Sequence, residues 1–149
     1  MLNIGQAGLI ALAVASTQPA TSVLAQAPAS AKPYQVEWVY RVRYGYQDEW
    51  WRIFQKYQIA ELDEEKRRGY VRGYSVFRPG LHTSEDARWD YRIVITYNGY
   101  DGSTHEGEVE RALFPDVAAR KADENRRWEW TANHWDLPIH EIDPHAAPE

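Results

Sequence analysis

Three side chains in this sequence could carry out proton transfer from positions that reach an enclosed site: Glu61, His105 and His134. Glu61 and Gln58 accompany Trp51, Phe54 and Leu62 at helical spacing, so a carboxyl that should prefer water is directed toward a core or cleft. Desolvation there disfavours the ionised form and moves a carboxyl toward the range useful for general acid-base work near neutrality. The plainer reading puts Glu61 at the edge of the stripe, hydrogen-bonded or solvated. A neutral imidazole is the usual proton shuttle and also a usual metal ligand. His105 falls in Ser103-Thr104-His105-Glu106, and His134 precedes Trp135 at the end of an aromatic-rich stretch. His82 belongs to a long polar loop, His140 to the last strand and His145 to the tail. No two histidines have the i, i+4 spacing of a helical metal site, and no His-Glu-x-x-His pattern occurs, so no metal is expected. Haem is kept only as a minor alternative to a cofactor-free site. A Gly-rich phosphate loop, a nucleophile elbow and a calcium loop are all absent.

The residues that could bind a ligand are mostly aromatic. Trp38, Tyr40, Trp89 and Tyr91 alternate along two strand patterns, while Trp51, Phe54 and Trp128 recur on helical stripes beside the polar Gln58 and Asn125. Small-molecule pockets are largely apolar and aromatic with a few placed polar groups, so this set defines a candidate cleft between strands and helices. The same spacing also builds an ordinary core. Arg126-Arg127 suits a salt-bridged helix face, with stacking or carboxylate binding as the alternative.

These positions must be held by the following elements. Val36 to Tyr44 alternates and reads as a half-buried strand ended by Gly45. Residues 47–68 take helical period, with Asp48 and Glu49 in the first turn, Lys66, Arg67 and Arg68 in the last, and Gly69 as the stop. Strands follow at 70–78 and 89–97, separated by a loop that starts at Pro79-Gly80. Ser103 to Glu106 reads as a capping box that opens a helix to Phe114. Pro115 starts a second helical segment with Ala118, Ala122, Asn125, Trp128, Ala132 and Trp135 on one stripe, and Pro138 ends it. A short strand over 137–142 closes the domain. Strand, helix, strand, strand, helix, strand is the α+β, ferredoxin-like βαββαβ order: a four-stranded antiparallel sheet with both helices on one face. The other face would carry Val39 and Val94 beside Arg41, Arg43 and Arg92, which calls for a second copy packed against it as a homodimer.

The chain has 149 residues, formal net charge −5, seven Trp, ten Tyr and no Cys. Every Trp and Tyr comes after residue 33, and the first 25 residues hold no aromatic and no charged side chain. Ala7 to Ala15 has the length of a signal-peptide apolar region and is too short to span a bilayer, with cleavage expected after Ala25. The reading is therefore a signal peptide over 1–25, a disordered Pro/Ala tether over 26–35, one domain over 36–142 and a tail over 143–149. The exported product would be periplasmic or secreted and would not remain in a membrane. Without cysteine there is no disulfide framework and no thiolate zinc site. The acidic balance argues against nucleic acid as a main partner.

Val39-Tyr40-Arg41-Val42-Arg43, Trp51-Arg52-Ile53-Phe54-Gln55-Lys56-Tyr57 and Gly69-Tyr70-Val71-Arg72-Gly73-Tyr74 together resemble the dimeric α+β barrel superfamily, most of all its small NIPSNAP-like branch, over nearly all of 36–142. The resemblance implies a homodimer and a ligand held between sheet and helices. It admits cofactor-independent oxygenases, isomerases and lyases acting on a small aromatic or hydrophobic compound, as well as non-catalytic ligand- or haem-binding proteins and structural or assembly modules. Fold alone does not choose among these.

Overall fold

The computed structural model describes residues 31–146. The expected signal peptide, the first half of the tether and the end of the tail lie outside the described residues. The elements run β1 (Tyr34–Val42), α1 (Gln47–Phe54), a π-helical turn (Gln55–Ile59), α2 (Ala60–Arg67), β2 (Val71–Phe77), β3 (Tyr91–Tyr97), α3 (Gly99–Gly102), α4 (Glu106–Leu113), α5 (Val117–Trp130) and β4 (Thr131–Ile139). The four strands form one antiparallel sheet in the order β2-β3-β1-β4. This is the ferredoxin-like α+β fold, with the helices gathered on one face. No helix among the described residues is long and apolar enough to cross a membrane.

β1 begins at Tyr34, inside the segment that reads as a tether, because Tyr34 and Gln35 already pair with Tyr97 and Thr96 of β3. Directly paired residues share a face. Tyr40 therefore stands with Tyr91 and His134 on the helix side, and Val39 stands with Arg92 and Trp135 on the other. β3 shows the clean alternation of a half-buried strand: Tyr91, Ile93, Ile95 and Tyr97 are buried and the residues between them are not. Trp89, expected on that strand, precedes it and stacks with the Arg92 guanidinium at 4.6 Å.

The first helical stretch is rotated from its expected face. Trp50, not Trp51, is fully buried, together with Phe54, Tyr57, Glu61, Leu62 and Glu65. Trp50 is selected because its ring stacks on Tyr91 at 4.9 Å and on Phe54 at 4.9 Å, while its indole N–H donates to Thr131 Oγ1 at 2.9 Å. A buried Trp needs such a partner, and aromatic pairs add ~0.5–1.5 kcal/mol each beyond their buried area. Gly69 ends the stretch at φ +81, the left-handed conformation of a helix stop that glycine tolerates best.

Two local expectations fail. The capping box does not form: Ser103 Oγ donates to Tyr100 O and Thr104 Oγ1 to Asp101 O, so both hydroxyls serve the preceding turn of α3. α4 begins after His105 with no side-chain cap. The last helix ends at Trp130, and Ala132 and Trp135 lie on β4, not on a helical stripe. Pro138, expected to stop a helix, sits in an edge strand opposite Val36, where a missing N–H is tolerated. The longer β4 places Trp135 and half-exposed Leu137 on the open face of the sheet, beside Val39, Val94 and the Arg92–Glu37 ion pair at 3.1 Å.

Candidate functional site

On the helix side of the sheet, Trp38 and Tyr40 project from β1, and His134 and Asp136 project from the facing positions of β4. The helical layer above supplies Gln58 from the π-helical turn and Glu61 from α2. α4 contributes Glu106 and Glu110, and α5 contributes Arg120, Glu124, Arg127 and Trp128. These twelve residues line a half-open cavity of about 270 Å³. That is close to the lower end of the ~300–1,000 Å³ typical of small-molecule pockets. Its aromatic lining is Trp38 and Tyr40 from the sheet and Trp128 from α5, and the rest of its wall is mostly polar.

Five carboxylates face two guanidiniums and one imidazole in this space, and most are paired. Arg120 Nη2 binds Glu110 at 2.6 Å, Arg127 Nη2 binds Glu124 at 2.7 Å, and Gln58 Nε2 donates to Glu124 at 3.2 Å. His134 Nε2 meets Asp136 at 3.1 Å and Nδ1 meets the Val39 carbonyl at 3.2 Å, while its ring stacks on Tyr40 at 4.2 Å. Both partners of His134 are acceptors, so both bonds are made at once only when both ring nitrogens carry hydrogen. Among the described residues, no three His, Asp or Glu side chains converge as metal ligands.

Glu61 differs from these residues. It is 4% exposed and its carboxyl has no hydrogen-bond or ion-pair partner among the described residues. Burial pushes it up to about 8, helped by the negative charges of Glu106, Glu110 and Glu124 and opposed by Arg120. It is therefore mostly protonated at neutral pH and close to the balance required of a group that gives and takes protons. Glu106 is raised as well, by desolvation first and then by Glu110 and Asp136. One turn beyond Glu61, Glu65 is 2% exposed and pushed up to about 7 by burial and by Glu106.

Arg127 is the most enclosed cation, 3% exposed, with its guanidinium carbon within 4.8–5.7 Å of the Tyr40, Trp50, Phe54 and Trp128 rings. Arg127 thus both pairs with Glu124 and stacks, uniting the two readings its sequence position allowed. Three buried polar atoms of the cavity residues lack a hydrogen-bond partner: Gln58 Oε1, Arg120 Nε and Arg127 Nη1. Buried polar atoms normally have one, so the cavity leaves hydrogen-bonding capacity that protein groups do not fill.

The residues singled out from the sequence separate clearly. Glu61, His134, Trp38, Tyr40, Gln58 and Trp128 meet at the cavity. Phe54 and Tyr91 belong to the core behind it, Tyr91 donating its hydroxyl to Gln47 O at 3.0 Å. Trp51 stacks on Tyr91 and Phe54 outside the cavity, and Asn125 points to solvent. Trp89 lines a separate 190 Å³ cleft beside Tyr44, His82 and Arg88. His105 is not part of the cavity: it stacks on Tyr70 at 3.9 Å and lies 3.4 Å from Glu108. Sequence reasoning missed Glu106, Glu110, Arg120, Glu124 and Asp136. The available signal was a polar stripe, Arg120, Glu124 and Arg127 at i, i+4 and i+7, together with the Glu106, Glu110 pair one turn apart.

No protein-family model and no curated protein matches the chain. Among solved structures, it is similar to a dimeric ferredoxin-like protein from an uncultured marine organism, with TM-score 0.50 and 6% identity, covering 77% of this chain and 95% of that one. It is also similar to a NIPSNAP family protein from Agrobacterium tumefaciens (TM-score 0.47, 18% identity, 76% of this chain and 90% of that one). A third likeness is to a putative antibiotic biosynthesis monooxygenase from Nitrosomonas europaea (TM-score 0.49, 10% identity, 76% of this chain and 94% of that one). At these identities the likeness concerns the ferredoxin-like fold alone.

Proposed function

We propose that this is an exported, homodimeric small-molecule-binding protein of the dimeric α+β barrel type, and that it performs cofactor-independent proton transfer on a compound held in the cavity. The observation that carries the reading is Glu61: a carboxyl pushed up to about 8, buried, unpartnered and opening on a half-open cavity. A group held near neutrality at a cavity wall is a functional-site signature, because placing it there costs stability that a purely structural residue would avoid. The aromatic wall of Trp38, Tyr40 and Trp128 supports a ligand with an apolar or aromatic part. The polar helix side requires that the same ligand also carry hydrogen-bonding groups, which narrows the hydrophobic compound expected from the sequence.

The homodimer is supported by the open sheet face, where Val39, Val94, Trp135 and Leu137 surround an ion pair. The leader supports export. Native mass spectrometry of protein purified from its own periplasm or culture fluid tests the reading. A retained small molecule is expected in the wild type, and loss of it in Gln58→Trp, which fills the cavity. An empty wild-type protein that also takes up nothing from a metabolite extract of the same cells refutes it.

A further inference from the structure

The cavity holds more acid than base: five carboxyls against two guanidiniums and one imidazole. Gln58 Oε1 has no donor, and the Glu61 and Glu106 carboxyls have no partner among the described residues. The two donors without an acceptor are accounted for differently. Arg127 Nη1 lies among four aromatic rings whose faces satisfy a guanidinium. Arg120 Nε belongs to a cation already neutralised by Glu110 at 2.6 Å. The groups facing Glu61 are Gln58 on its own helical stretch, Glu106 and Glu110 from α4, Arg120, Glu124 and Arg127 from α5, His134 and Asp136 from β4 and Tyr40 from β1. With each arginine paired to its own glutamate, the carboxyls left without a guanidinium are buried Glu61, exposed Glu106 and Asp136, whose contact is the His134 imidazole. An anionic ligand would meet these carboxyls, a neutral one would leave Glu61 holding its proton, and a cation would take the place of that proton and complete the set. The aromatic wall suits a cation further, since ring faces attract positive charge.

We propose that the cavity takes a small organic ammonium compound, its nitrogen held by Glu61, Glu106 and Gln58 Oε1 and its apolar part against Trp38 and Trp128, and that its entry displaces the Glu61 proton to solvent. This rests on the small-molecule reading above and names the ligand class. The exchange balances: one positive charge enters as the ammonium and one leaves as the proton, with no bond formed to the protein. Because cation and proton compete for one carboxyl, the affinity falls as pH drops below about 8. In the limit that fall is about tenfold per pH unit.

The test uses three probes of nearly one shape on the purified protein: benzylamine, benzyl alcohol and benzoate. Isothermal titration at pH 7 in buffers of different ionisation enthalpy reads affinity and protons released together. Benzylamine is expected to bind tightest and to release close to one proton. In Glu61→Gln the release disappears and the affinity drops by about tenfold or more, the size of a hydrogen bond to a charged group. Equal or tighter binding of the alcohol or of benzoate overturns the cationic ligand while leaving small-molecule binding intact. So does benzylamine binding without proton release, or binding unchanged in Glu61→Gln. If none of the three probes binds, the proposal also falls. The broader reading falls with it only when the protein from its source is empty as well.

Discussion

Replacing Glu61 by glutamine should make the protein more stable, by an amount that depends on pH in a defined direction. In the unfolded chain this carboxyl ionises from about its ordinary value of 4.5, whereas in the fold it keeps its proton up to about 8. The folded state therefore binds the extra proton, and stability falls as pH rises from 4.5 to 8 and levels off above. Each unit of difference corresponds to about 1.36 kcal/mol, so the penalty reaches about 3 kcal/mol at pH 7 and about 5 kcal/mol above pH 8. Glutamine keeps the shape and never ionises, so it avoids the penalty at every pH. The gain should vanish at pH 4 and correspond to a rise in Tm of roughly 10 °C at pH 7 for a domain of this size. Urea unfolding followed by tryptophan fluorescence between pH 4 and 8.5, at one protein concentration for both variants, measures the difference. A constant offset between the two curves, or a Glu61→Gln variant that loses ground to the wild type as pH rises, would refute the buried, unpartnered carboxyl.

Glu65→Gln should show the same sign over a narrower window, from 4.5 to about 7, and urea titrations at pH 4 and 8 check it. Gly102→Ala should destabilise by about 2 kcal/mol or more, because its new Cβ would stand 2.5 Å from the Tyr70 carbonyl oxygen and backbone must shift to admit it; thermal melts report the loss. Trp50→Phe leaves Thr131 Oγ1 without its indole donor and removes buried ring area, a loss of about 2 kcal/mol in the same assay. Leu137→Lys should convert a dimer measured by light scattering into a monomer with unchanged circular dichroism, since it places a charge on the open sheet face without touching the helix side.

The fold was legible because its strands announce themselves. Tyr91, Ile93, Ile95 and Tyr97 alternate without interruption, and Gly69 and Pro79-Gly80 punctuate them. β4 was misread because Asn125, Trp128, Ala132 and Trp135 happen to continue a helical spacing, and because Pro138 normally signals a break, whereas edge position decides where a proline is allowed. The capping box failed for a related reason: the short helix α3 placed backbone carbonyls nearer to Ser103 and Thr104 than the amides they were expected to cap. Although Glu65, buried one turn further on, was not singled out, a carboxyl beside an apolar stripe was enough to direct attention to Glu61. The carboxylates around it looked like a solvated surface in one dimension. Only packing α4 against α2, and α5 against α1 and β4, turns their stripe inward, and that depends on tertiary contacts no local spacing encodes.

Pro138 has a further consequence for how copies of this protein meet. β4 forms one rim of the sheet, and a residue without an N–H lies in it. At the opposite rim, β2 breaks register between Val71 and Gly73. Each rim thus interrupts the unbroken row of main-chain donors and acceptors that a stray strand needs in order to dock, a standard protection against fibre-like growth. For a cysteine-free domain so rich in tryptophan and tyrosine, sideways polymerisation is discouraged at both borders, which leaves the flat of the sheet as the surface for the dimer proposed above.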